Sequence, residues 1–282
     1  MLASRISIFV SVLSGLGYGI ILISLILILF SDNNTNLIIK YLVLILSISS
    51  ILLGLFFSII KIINKNNHLL LIKEFKSSWI ARKIIFSILS LLPIIVFFYL
   101  WIFNNESSLF NYNIYLTVFI SLIILFCTSM IGLNVSFINI INNSLIPVIY
   151  LFNSLLSGAI VVFYIYFTIG EYNYFLFTFL KLLLTISFFI KILYWFKINK
   201  FVLNKDQKQL FLFQRYIATI LAYILPIYIL WNTPSLNITF EIQNYIYFIM
   251  VLFFIFGIFI ERNLFFLETK NMTIDLDENK IF

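Results

Sequence analysis

The sequence holds a single cysteine, Cys127, and a single histidine, His68. One cysteine makes no internal disulfide, and an iron–sulfur cluster wants about four thiolates. One histidine does not supply the two axial imidazoles of a membrane b-type haem, and cysteine- or histidine-based metal sites are excluded on the same count. Charge is scarce too. Only 10% of the residues are charged, whereas 63% are hydrophobic. A soluble domain is roughly 45–50% apolar and about 25% charged, so these residues do not cover a water-soluble surface. The same composition excludes intrinsic disorder. The chain of 282 residues belongs in a bilayer.

What is present is apolar sequence in long runs. A helix needs about 20 apolar residues to cross roughly 30 Å of hydrocarbon. Eight runs meet that length, over 6–30, 37–63, 84–103, 114–133, 146–168, 174–196, 215–231 and 243–261. They are continuous rather than alternating, which predicts helices and not barrel strands. The first is too long for a removable signal peptide and lacks a small-residue cleavage site. Its Gly15, Gly17 and Gly19 predict a close helix contact. The expected fold is an all-α, polytopic bundle of eight transmembrane helices. Residues 1–282 form one integral membrane domain with no soluble domain. No internal repeat of the inverted-transporter kind is evident.

The connections alternate in charge. Loops 31–36, 104–113, 169–173 and 232–242 hold Asp32, Glu106, Glu171 and Glu241, with no Lys or Arg. The other side carries Arg5, Lys65, Lys73, Lys76, Arg82, Lys83, Lys197, Lys200, Lys205 and Lys208, and then Arg262, Lys270 and Lys280. Positive charge stays inside, so both termini and the basic loops are expected in the cytoplasm. The net charge of +7 therefore concentrates on one face, a setting suited to a docking partner. The basic loops are short and held at the bilayer, which argues against nucleic acid.

Several residues carry possible chemistry. His68 follows the second run, and an imidazole accepts one proton and donates another near neutral pH. Trp79 fits an interfacial anchor and Arg82 a positive-inside charge. An arginine there also fits a carboxylate or carbonyl oxygen. Glu261 and Arg262 follow the eighth run. Neighbours on a helix do not face each other, so the two are expected to have separate partners. Glu268, seven residues on, falls on the Glu261 face. Lys181 lies about 12 Å from the outer end of the sixth run. An intramembrane cation is a functional candidate unless its stem snorkels outward. Lys40 needs only to snorkel. Pro93, Pro147 and Pro226 mark kinks or helix starts.

Four segments together resemble the membrane anchor subunit of dimethyl sulfoxide reductase-type molybdoenzymes, over nearly the whole chain. His68-Leu69 is similar to the start of that family's His-Leu-Gly-x-Pro segment. Ser78-Trp79-Ile80-Ala81-Arg82 is similar to its Ser-Trp-Leu-Ser-Arg-Glu segment, with Lys83 where the family has Glu. Leu145-Ile146-Pro147 and Asn153-Ser154-Leu155-Leu156-Ser157-Gly158 resemble the start and small-residue stripe of its fifth span. Glu261-Arg262-Asn263-Leu264-Phe265-Phe266-Leu267-Glu268 resembles its closing signature and is the most specific match.

The resemblance implies an eight-helix anchor without haem in the bacterial inner membrane, serving anaerobic respiration. Such an anchor oxidises menaquinol and passes electrons to an iron–sulfur subunit and on to a molybdopterin subunit. It is a quinol-oxidising or non-catalytic part of an oxidoreductase, and the metals belong to its partners. His68 is then the expected catalytic residue. The quinol-binding set is His68, Trp79, Arg82, Glu261, Arg262 and Glu268, with Glu261 or Glu268 as proton acceptor. Two other readings are a small-molecule transporter and a structural anchor whose quinol site has decayed. The charge asymmetry yields a direct test. An alkaline phosphatase fused after residue 70 is expected to be inactive in intact cells, and an active fusion would reverse the orientation.

Overall fold

The computed structural model describes residues 2–30, 35–63, 78–103, 107–131, 145–198, 205–233 and 239–278. Eight helices among them are long and apolar enough to span a membrane. They are α1 (Leu2–Phe30), α2 (Leu37–Ile63), α3 (Trp79–Phe103), α4 (Ser108–Ser129), α5 (Leu145–Thr168), α6 (Tyr174–Ile198), α7 and α8 (Phe240–Glu278). Helix α7 is three continuous pieces: Lys205–Thr219, a π-helical turn at Ile220–Ile224, and Leu225–Asn232. No strand occurs among the described residues. Helices satisfy their own backbone groups, which a lone strand in lipid does not.

The ends differ from the sequence reading at four spans; among them α7 begins at Lys205 and its apolar span at Phe211, ahead of residue 215. Helix α3 begins at Trp79, so Trp79 and Arg82 sit in its first turn. Helix α4 begins at Ser108, where the Ser107 hydroxyl accepts from the Phe110 amide and caps the helix start. Helix α8 continues to Glu278, so Glu261 and Arg262 lie within its apolar span, Phe240–Leu267, instead of following it. Apolar runs alone do not mark these ends, because capping and partner helices decide where a helix stops.

The packing repeats with an offset of four helices. In the first half α1 meets α2, α2 meets α3, α3 meets α4 and α4 returns to α1. In the second half α5 meets α6, α6 meets α7, α7 meets α8 and α8 returns to α5. Across the halves α4 touches α5, α8 touches α1, and α1 lies along α5. This is a parallel four-plus-four arrangement, unlike an inverted repeat. A smaller likeness follows it. Lys40 of α2 lies over the Trp101 ring of α3 at 5.6 Å, and Lys181 of α6 lies over the Trp231 ring of α7 at 4.9 Å. Both aromatic partners stand near the C-terminal ends of their helices.

Helices α1 and α5 form the centre, with 72% and 61% of their most apolar windows buried. They cross where Gly19 faces Gly158. A Cβ on Gly19 would stand 1.9 Å from the Ser154 carbonyl oxygen, and one on Gly158 would stand 2.2 Å from the Gly19 carbonyl carbon. Backbone meets backbone there, and no side chain fits between. The same device closes α1 on α2, where a Cβ on Gly17 would stand 3.0 Å from the Ser47 carbonyl oxygen and one on Gly54 3.0 Å from the Ser14 amide nitrogen. Large apolar side chains such as Leu92, Tyr112 and Phe119 point outward, as a lipid-facing surface requires.

The proline in α7 explains its irregular turn. Pro226 offers no N–H, and its ring crowds the carbonyl four residues earlier. Just before it the backbone widens, and the Leu225 amide reaches back to the Ile220 carbonyl. The widened turn carries Tyr223 into the bundle, where it is buried.

Two glycine variants separate packing from turn geometry. Gly19→Ala is expected to cost about 1–3 kcal/mol through overpacking. Gly170, at φ +82° in the α5–α6 turn, has open space around its Cα. Gly170→Ala is expected to cost about 1–2 kcal/mol from the left-handed backbone alone. Unfolding in detergent micelles measures both, and a Gly19→Ala chain as stable as the parent would contradict the close crossing.

Candidate functional site in the second half

Glu261 is the centre of a polar cluster inside the bundle. Its Oε1 accepts from Lys191 Nζ at 2.6 Å and from Asn153 Nδ2 at 2.7 Å. The Tyr223 hydroxyl lies 3.2 Å from its Oε2 and 2.8 Å from Asn153 Oδ1, so a single phenolic proton serves two acceptors. The Glu261 and Lys191 side chains are only 7% and 6% exposed. Four helices supply the cluster: α5 gives Asn153, α6 Lys191, α7 Tyr223 and α8 Glu261. A charged pair withdrawn from water this far persists only when both members find partners. Lys191 has further company in the rings of Tyr194 and Trp195, 4.9 and 5.6 Å from its ammonium.

Arg262 points elsewhere. Its Nε donates to the Ser11 hydroxyl at 3.0 Å, and its terminal nitrogen donates to the Thr128 carbonyl at 3.4 Å. Its guanidinium also lies over the rings of Phe265, Tyr150 and Phe266, at 4.4, 5.0 and 5.1 Å. Thus Glu261 reaches into the second half, and Arg262 ties α8 to α1 and α4 of the first. The separate partners expected for the two neighbours are what the structure has.

A cavity, partly open to its surroundings, lies beside both groups. It stands between α1, α5, α6 and α8, where the two halves meet. Val12, Leu16, Ile146, Ile149, Phe254, Ile255 and Ile258 make its apolar wall. Glu261, Lys191, Asn153, Arg262, Ser11, Tyr150 and Tyr194 supply its polar groups. Tyr150 donates its hydroxyl to the Ser11 carbonyl at 2.6 Å, which holds the α1–α5 wall in place. A mostly apolar wall with a few convergent polar groups fits a largely apolar molecule that carries a polar group.

The other sequence-predicted residues fall in different places. Trp79 and Arg82 stack on each other, with the guanidinium 4.3 Å from the ring centre. Trp79 meets Phe126 of α4 edge-on at 5.9 Å. Arg262 reaches the α4 end at Thr128, so both groups touch the last turns of α4. Only Glu261 and Arg262 line the cavity. His68 lies outside the described residues, and so does the Glu268 side chain. Lys181 is half-buried over the Phe177 and Trp231 rings at 4.2 and 4.9 Å, apart from the Glu261 cluster.

Sequence reasoning missed Lys191, Tyr223 and Tyr150. Lys191 stands close enough to the end of its span to pass for an ordinary snorkelling residue. Tyr223 is one tyrosine among 16. The usable signal was an acid at 261 in an apolar run, which demands a buried cation somewhere. Lys83, where the resembled family has Glu, is also buried. It donates to the Ser58 hydroxyl at 2.6 Å and to the Gly54 carbonyl at 3.0 Å. Among the described residues it has no carboxylate partner. It fastens α3 to α2 in the first half, away from the cavity.

Comparison with known proteins finds no matching family model, no similar curated protein and no similar solved structure.

The ion pair yields a thermodynamic cycle. Lys191→Met strands a buried carboxylate and is expected to cost about 3–5 kcal/mol. Glu261→Gln strands the ammonium at a similar cost. The double variant is expected to be clearly more stable than either single one, as judged by unfolding in micelles. Losses that simply add would mean that the two side chains do not interact.

Proposed function

We propose that the chain is the membrane anchor subunit of a dimethyl sulfoxide reductase-type complex in a bacterial inner membrane. It binds menaquinol, oxidises it and hands the electrons to an iron–sulfur subunit docked on the basic face, for delivery to a molybdopterin subunit. The observation that carries this reading is the buried acid, Glu261, on the wall of a mostly apolar intramembrane cavity. Quinol oxidation releases two electrons and two protons, and yields the quinone. The electrons go to the partner's iron–sulfur centre. Each proton needs an acceptor within the protein.

Glu261 suits one proton. Lys191, Asn153 and Tyr223 hold its carboxylate at the cavity wall, so it is aimed before a ligand arrives. A quinol oxygen placed beside it gives up its proton to that carboxylate. Arg262, next in sequence and on the same cavity, offers donors to a ring oxygen that is losing its proton. The apolar wall sheathes the isoprenoid tail. By resemblance His68 takes the second proton. Trp79, Arg82 and Glu268 belong to the same expected set, with Trp79 and Arg82 at the α4 end next to the basic face.

A second reading, a small-molecule transporter, draws on one observation. The packing repeats, and the cavity lies between the repeats, as in many transporters. Uptake of a polar solute into sealed vesicles, without quinol binding, would favour it.

Binding is measured on the full chain in lipid nanodiscs, with a fluorescent quinol analogue whose emission falls when it is bound. The parent chain is expected to quench it. Glu261→Gln is expected to weaken binding about tenfold or more, the worth of one charge-assisted hydrogen bond. Absence of quenching by the parent chain would refute the quinol reading.

A further inference from the structure

The Glu261–Lys191 pair is a partition between two cavities. On its far side from the central cavity lies a smaller one, bounded by α6, α7 and α8, with room for about one water molecule. Lys191, Tyr194, Glu261 and Phe265 wall both. Trp195 and Arg215 wall the small cavity and also a third, an open groove between α6 and α7. Three spaces therefore follow one another, each sharing walls with the next.

The series rises toward the basic face. Glu261 lies six residues inside Leu267, the inner end of the eighth span, a depth of about 9 Å at 1.5 Å per residue. Leu264, on the small cavity, is three residues from that end. The groove is lined by Phe196, the last residue of the sixth span, and by Leu212, next to Phe211 at the start of the seventh. The small cavity also carries ionisable groups from each bounding helix: Lys191 from α6, Arg215 from α7 and Glu261 from α8. Buried charges of this kind retain water where there is room for it.

Aromatic packing fills the opposite direction. Leu16 and Phe254 line the central cavity at its end away from the basic face. Beyond them Phe163 packs edge-on against Tyr247 with ring centres 5.1 Å apart, and Phe167 packs on the same ring at 4.6 Å. Those rings join α5 to α8, and the Tyr247 hydroxyl pairs with that of Thr233 at 2.8 Å.

We propose that the small cavity and the α6–α7 groove form a one-sided water passage through which Glu261 exchanges protons with the basic face only. The groups facing Glu261 are Lys191 from α6, Tyr223 from α7 and Asn153 from α5. Arg262 follows it on α8, Tyr150 and Tyr194 share its cavity, and Arg215 shares the small one. A proton taken by the Glu261 carboxylate leaves along water past Lys191 and Arg215, while the electrons leave to the partner. The quinol as proton source rests on the function proposed above, but the passage itself does not.

The test uses a Cys127→Ser chain in sealed vesicles of either orientation, with a charged, membrane-impermeant thiosulfonate reagent. Lys205→Cys marks the basic face. Leu264→Cys is expected to react from the basic face and not from the other, and Phe254→Cys from neither. Adding Leu212→Trp, which fills the groove, is expected to slow the Leu264→Cys reaction several-fold and to leave quinol-analogue affinity unchanged. An unreactive Leu264→Cys in a chain that still binds the analogue overturns the passage, and so does equal reaction from both faces. One-sided labelling in a chain that binds no analogue keeps the passage and removes the quinol reading.

Discussion

The close approach of α1 and α5 at Gly19 and Gly158 is the contact on which the remaining architecture depends. With backbone against backbone, the two central helices act as one spine. Each then carries three more helices on its own side, and the four-plus-four packing follows. The crossing also shapes what lies beneath it. Helices that touch at one point diverge away from it, and toward the basic face the space between α1 and α5 opens into the central cavity. Tyr150 bridges that space to the Ser11 carbonyl and keeps it from collapsing.

The two halves share a plan and differ in how tightly it is closed. In the first half Gly17 and Gly54 let α1 and α2 meet backbone to backbone. No glycine stands at the α5–α6 contact among those that face a neighbour. There the helices carry Asn153, Lys191 and Tyr194, and a cavity remains. The asymmetry places polar chemistry in one half and leaves the other as a packed support.

Charge inside the membrane meets several different solutions. Lys40 donates to the Trp101 carbonyl at 2.9 Å, near the C-terminal end of α3. Lys83 uses a carbonyl and a hydroxyl, and Lys181 rests on aromatic faces. Lys191 alone of these meets a carboxylate. Arg262 takes a hydroxyl, a carbonyl and three rings. Each neutral arrangement offsets desolvation locally and fastens two helices. The Lys191–Glu261 pair differs because it places a carboxylate on a cavity wall, which packing alone does not require.

The sequence by itself determined the membrane class, the eight spans and the alternation of charge between faces. Each follows from composition and run length, properties that hold whichever helices become neighbours. It also singled out Glu261 and Arg262, because ionised groups in an apolar helix are costly enough to demand partners. The tertiary structure alone decided who those partners are. Asn153, Lys191, Tyr223 and Glu261 are separated by tens of residues and meet only when four helices pack. No periodicity within one helix announces a contact between helices. The α8 extension that draws Glu261 inside its span, the π-helical turn that delivers Tyr223 and the glycine crossing that leaves the cavity open are all set between helices. For that reason the spans were legible in the chain, and the site was legible only at its two most expensive residues.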